Sequence, residues 1–110
     1  ADELVQKWAE DSNESLRLTG YWLYVRLMMI EADVLERIKT MPIIENALVD
    51  VHSEDNLLST AALNVLKQVV RRNYEGADMV MSQIGKFATS VNPKEKEIYD
   101  NLQFELKIRS

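Results

Sequence analysis

Apolar residues recur at three- and four-residue spacing along almost the whole chain, the period of helices that bury one side. Leu4, Val5 and Trp8 share one face of a short first helix, and Asp11-Ser12-Asn13 offers a stop and a cap for the next. Leu18, Tyr21, Trp22, Val25, Leu27, Met28 and Met29 then form a broad stripe. Gly20 inside that stripe costs about 1 kcal/mol against Ala, so a close helix crossing is expected there. Val34, Leu35 and Ile38 either belong to a separate helix capped by Asp33 or prolong the second one. Thr40-Met41-Pro42 is a break, with Thr40 as cap and Pro42 in a first turn. Ile43, Ile44, Ala47, Leu48 and Val51 follow at helical spacing.

The widest stripe comes next. Leu57, Leu58, Ala61, Ala62, Val65, Leu66, Val69 and Val70 cover too much of a helix for one dry edge, which predicts a central position. Ser53 or Asp55 is the expected cap before it. Arg71, Arg72 and Asn73 close it with the charge sign that a helix C-terminus favours, and Tyr74-Glu75-Gly76 reads as the turn. Ala77–Ala88 carries Val80, Met81, Ile84 and Phe87. Asn92-Pro93-Lys94-Glu95 has the spacing of a capping box ahead of Ile98, Tyr99, Leu102 and Leu106. No Asn-Gly or Asp-Gly hairpin signal occurs. The pattern predicts an all-α fold: a single domain over residues 1–110, a compact bundle of about six short helices with armadillo- or HEAT-like packing. An up-down four-helix bundle would need longer helices and fewer breaks.

Composition narrows the chemistry. The 110 residues include no Cys and one His, which removes thiolate chemistry, disulfides and any metal site needing two imidazoles. Gly20, Gly76 and Gly85 are isolated, so no phosphate-cradling loop can be built from them. His52 lies beside Glu54 and Asp55, but in a predicted turn, where capping and solvent exposure are the expectation. No catalytic, cofactor-binding or metal-binding residue is expected, and the protein is read as a non-enzyme. No apolar run approaches the ~20 residues of a membrane span. Asp2, Glu3 and Lys7 interrupt any signal-type stretch, so a nuclear or cytoplasmic protein without membrane contact is expected.

Net charge is −5, and it is uneven: residues 1–55 sum to −7 and residues 56–110 to +2. That balance argues against nucleic acid and for a protein or peptide partner. Lys67, Arg71 and Arg72 share the end of the central helix, and Lys86 is expected to approach from the next helix, forming a basic edge for an acidic segment. Aromatic and Met side chains gather between Tyr21 and Met41; most belong to the core, and Tyr24 is the expected exposed contact beside that edge.

From Leu16 to about Ile108 the chain resembles the TFIIS N-terminal-like helical domain, the type also found in elongin A, Iws-type factors and PNUTS. The likeness rests on the order Val34-Leu35-Glu36-Arg37-Ile38, then Ile43 to Val49, then Leu57-Leu58-x-x-Ala61-Ala62-Leu63-x-Val65-Leu66. Val70-Arg71-Arg72-Asn73, Ile84-Gly85-Lys86-Phe87 and a closing helix after Pro93 complete it; the family's late Leu-Trp pair is absent. The resemblance implies a scaffold in transcription elongation that binds short disordered motifs. Two functions are therefore expected. The first is a protein-interaction module with a helical groove edged by Lys67, Arg71 and Lys86. The second is a small acidic inhibitor or immunity-type protein whose Glu31, Asp33, Glu36, Glu45, Asp50, Glu54 and Asp55 mask a basic partner.

Overall fold

A computed structural model describes residues 2–31 and 33–109. Among them are seven α-helices, one 3-10 helix and no strand, so the chain is an all-α bundle. The helices are α1 (Asp2–Ala9), α2 (Glu14–Ile30), α3 (Val34–Arg37), α4 (Thr40–Asp50), α5 (Asn56–Arg72), α6 (Tyr74–Ile84) and α7 (Pro93–Ile108). A 3-10 segment, Gly85–Thr89, joins α6 to α7.

Local chemistry sets most of the boundaries. The Asn13 side chain accepts the Leu16 N–H at 3.1 Å, and Asp55 accepts those of Leu57 and Leu58 at 3.0 and 3.4 Å. Asn92 takes the amides of Lys94 and Glu95. Its capping box closes through a relay: the Asn92 N–H donates to Ser90 Oγ, and that hydroxyl donates to Glu95. Two expected caps are used differently. Asp33 makes no capping bond and instead accepts from Arg37 at 2.6 Å. Thr40 is the first residue of α4, and its hydroxyl meets Tyr24 and the Ile38 carbonyl. The predicted turn at Tyr74-Glu75-Gly76 contracts to Asn73. That residue ends α5 with its N–H on the Val69 carbonyl and starts α6 with its side chain on the Gly76 N–H.

The fold is organised around α5, which packs against α2, α4, α6 and α7. Its buried set, Leu58, Ala61, Ala62, Val65, Leu66, Val69 and Val70, spans about half of its circumference, as the wide stripe requires. The Cα radius of gyration, 13.0 Å, is the value expected of one compact domain of this length. α1 lies across α2 at Gly20, which approaches the Ala9 backbone too closely for any side chain.

Polar bolts fix the N-terminal half. Arg17 donates to both carboxylate oxygens of buried Asp50 at 2.8 and 2.9 Å, and the Tyr21 hydroxyl donates to the same carboxylate at 2.5 Å. The remaining Arg17 donors go to the Asp11 and Ser12 carbonyls. One side chain thus ties α2 to α4 and to the α1–α2 turn. Gln6 pairs with both backbone groups of Lys39, and Asn46 donates to the Ala9 carbonyl at the end of α1. Among the described residues no buried side-chain nitrogen or oxygen lacks a partner, which is what a well-specified core demands.

Candidate functional site

The basic edge does not assemble. Lys67, Arg71 and Arg72 do share the C-terminal end of α5. Arg71 lies 3.8 Å from Glu105 of α7, and Arg72 donates to Gln68 within its own helix. Lys86 sits at the other end of the bundle. α6 starts at Tyr74, directly after the Asn73 that caps both helices, and runs back along α5, so the following 3-10 segment reaches the region before α5 begins. There Phe87 meets His52 edge-on at 5.4 Å, and the Lys86 ammonium is 5.5 Å from the Phe87 ring centre. α6 has 11 residues, about 16 Å of helix, and its length carries Lys86 away from the end of α5 that holds Arg71.

Tyr24 is not an exposed contact. It is fully buried, with its hydroxyl 2.7 Å from Thr40 Oγ1. Burial pushes the Tyr24 phenol up, an effect only partly offset by the bond to Thr40. The buried face of α2 is Gly20, Tyr21, Tyr24 and Met28. At 100° per residue, Trp22 then points away from the core.

The acidic surface is also thinner than its sequence. Asp50 is buried against Arg17 and Tyr21, and Asp55 is a cap. Glu31 and Asp33 converge on Arg37, which also holds Asp2 at 2.8 Å. The Arg37 guanidinium draws the exposed Asp2 carboxyl below its usual range. Burial, and then the carboxylate of Asp50, pushes the Tyr21 phenol up. His52 is exposed. No group of three metal-ligating side chains occurs among the described residues, and no described helix is long and apolar enough to cross a membrane.

What the structure does bring together is an apolar groove between α2 and α5. Leu18, Thr19 and Trp22 form one wall; Asn56, Leu57, Thr60, Ala61 and Asn64 form the other, around about 520 Å³ of open space. The groove continues along α2 past Val25, Arg26 and Met29. Trp22 is 61% exposed, Met29 62% and Leu57 71%. Its polar groups are the neutral Thr19, Asn56, Thr60 and Asn64, with Arg26 the one charge. The Arg26 guanidinium lies 5.6 Å from the Trp22 ring centre, within cation–π range. The lining of the groove is mostly apolar, with hydroxyls and amides but no carboxylate or imidazole.

Leu18, Trp22, Val25 and Met29 follow one another at 4-3-4 spacing, on a face distinct from Tyr21, Tyr24 and Met28. α2 is therefore apolar on two faces: the first is buried in the core, and on the second Leu18 and Val25 pack partly against the core while Trp22 and Met29 stand exposed. Comparison with protein-family models, curated proteins and solved structures finds no match, so the reading of this groove rests on its own geometry.

Proposed function

We propose that the protein is an interaction module that seats a short segment of another protein chain in the α2/α5 groove. The observation that carries this reading is the outward face of α2. A helix lying on a domain surface normally turns polar side chains to water. Here Trp22 and Met29, at 61% and 62% exposure, occupy that side instead, and exposed Ile30 borders the separate furrow toward α1. Neighbouring Leu57 extends the patch onto a second helix, so the apolar surface is contiguous rather than scattered. Large aromatic and Met side chains in such positions supply most of the energy at protein interfaces. The role is binding rather than catalysis. A setting in transcription elongation rests on the resemblance to the TFIIS N-terminal-like domain, and the groove reading stands without it.

The test is selection of peptides of about 14 residues from a random display library on the intact chain. Selected peptides are expected to lose binding to Trp22→Glu and Leu57→Glu while keeping it for a Lys67→Glu, Arg71→Glu variant. Peptides that ignore Trp22 and Leu57 but depend on Lys67 and Arg71 would restore the basic edge and refute the groove.

A further inference from the structure

We infer that the segment seated in this groove is a short amphipathic helix of another protein with carboxylates along its flank. The inference rests on the groove reading and adds the shape and charge of the occupant. Shape comes from the spacing of the α2 wall. Leu18, Trp22, Val25 and Met29 recur at 4-3-4 intervals, the repeat that packs against another helix along a narrow seam; Trp22 and Met29 stand exposed as its crests, and half-buried Leu18 and Val25 form its floor. From Leu18 to Met29 the ridge is about 17 Å long, three helical turns. Leu57 of α5 lines the part of the groove that holds Leu18 and Trp22, and Ala61 and Asn64 line both that part and its continuation past Met29. A trough between two helices accepts a third helix through anchors at i, i+4 and i+7.

Charge comes from Arg26. No carboxylate lines the groove, although residues 1–55 carry a net −7. The other arginines of that half are engaged: Arg17 with Asp50, and Arg37 with Asp2, Glu31 and Asp33. Arg26 has no carboxylate partner among the described residues and stands over Trp22, on the ridge between the groove and a smaller apolar furrow lined by Leu4, Trp8 and Leu27. Its guanidinium keeps donors free beside an apolar seat, where a charge-assisted bond is stronger than in open water. A second copy of the chain fits less well. The groove of a second copy would bring Arg26 no carboxylate, since none lines it.

The experiment uses the intact chain labelled with 15N and three helix-stapled peptides of about 14 residues. All share Leu or Met at 4-3-4 spacing; their flanking positions are Glu, Gln or Lys. The Trp22 indole resonance reports binding, with that of Trp8 as the internal comparison. The Glu-flanked peptide is expected to bind about tenfold more tightly than the Lys-flanked one. In Arg26→Gln that ratio should collapse while the Gln-flanked peptide keeps its affinity. A ratio that survives Arg26→Gln, or a preference for Lys, overturns the inference but leaves the groove in place. If no peptide moves the Trp22 resonance, the groove reading falls with it. A Trp22 shift that appears on concentrating the protein alone and vanishes on dilution makes a second copy the occupant and overturns the inference.

Discussion

Gly20 of α2 lies against the backbone of Ala9 in α1, so close that a Cβ at position 20 would collide with the Ala9 nitrogen. The obstacle is main chain, which cannot rotate away as a side chain can. α1 would have to lift, uncovering Val5 and Ala9. Gly20→Ala is therefore expected to cost about 3 kcal/mol, the upper part of the range for overpacked sites. Gly85 is the control. It has open space around its Cβ position and φ −54, ψ −32, so Gly85→Ala is expected to stabilise by about 0.5 kcal/mol. Urea midpoints of the two variants should move in opposite directions; a neutral Gly20→Ala would mean that α1 does not dock tightly.

The Arg17–Tyr21–Asp50 cluster predicts a non-additive series. Asp50→Ala removes the acceptor of a buried phenol and a largely buried guanidinium at once, leaving Arg17 with only the Asp11 and Ser12 carbonyls. A loss of about 3–5 kcal/mol is expected. Replacing all three with apolar groups, Arg17→Met, Tyr21→Phe and Asp50→Leu together, should cost less than Asp50→Ala alone, because no charge or donor is then left unpaired. Chemical denaturation of the series decides it. A triple variant weaker than Asp50→Ala would mean that the network contributes more than its desolvation costs.

Tyr21 and Tyr24 predict alkaline weakening. Both phenols are held above their ordinary value by burial, and Tyr21 additionally by the neighbouring Asp50 carboxylate. A phenol that stays protonated in the fold but ionises in the unfolded chain binds more protons when folded. Its contribution is complete below about pH 10, the unfolded value, and declines above it, by up to about 1.4 kcal/mol per pH unit for each tyrosine. Urea midpoints between pH 9 and pH 11 should fall for the parent protein and fall less steeply for Tyr24→Phe. Lysine deprotonation enters both curves alike. Parallel curves would show that Tyr24 ionises as readily folded as unfolded.

The places where the sequence could and could not be read follow the range of the forces involved. Asn13, Asp55 and Asn92 were legible as caps because a cap bonds an amide two or three residues on, and nothing distant competes for it. Asp33 and Thr40 have the right chemistry for the same task. Each is claimed by a side chain instead, Asp33 by Arg37 and Thr40 by Tyr24, the latter 16 residues away. Lys86 was misplaced because its position depends on α6 folding back along α5, which no residue near Lys86 encodes. The burial of α2 was ambiguous for a different reason: apolar residues occupy both sides of it, so periodicity alone fits either choice. The choice was made by Gly20, which needs the α1 backbone, and by two hydroxyls whose partners, Asp50 and Thr40, lie on α4.

That choice has a measurable consequence, since Trp22 and Tyr24 are two residues apart and have opposite surroundings. Tyr24 is enclosed and hydrogen-bonded, so Tyr24→Ala is expected to cost about 3–5 kcal/mol through a cavity and the lost bond to Thr40, whose hydroxyl keeps only the Ile38 carbonyl. Trp22, the bulkier side chain, keeps most of its surface in water. Trp22→Ser should change stability by no more than about 0.5 kcal/mol while abolishing any peptide binding in the groove. Thermal or urea unfolding of both variants separates the two roles. A large loss from Trp22→Ser would make the tryptophan a structural element of the α2–α5 contact and would remove the main support for a docking face.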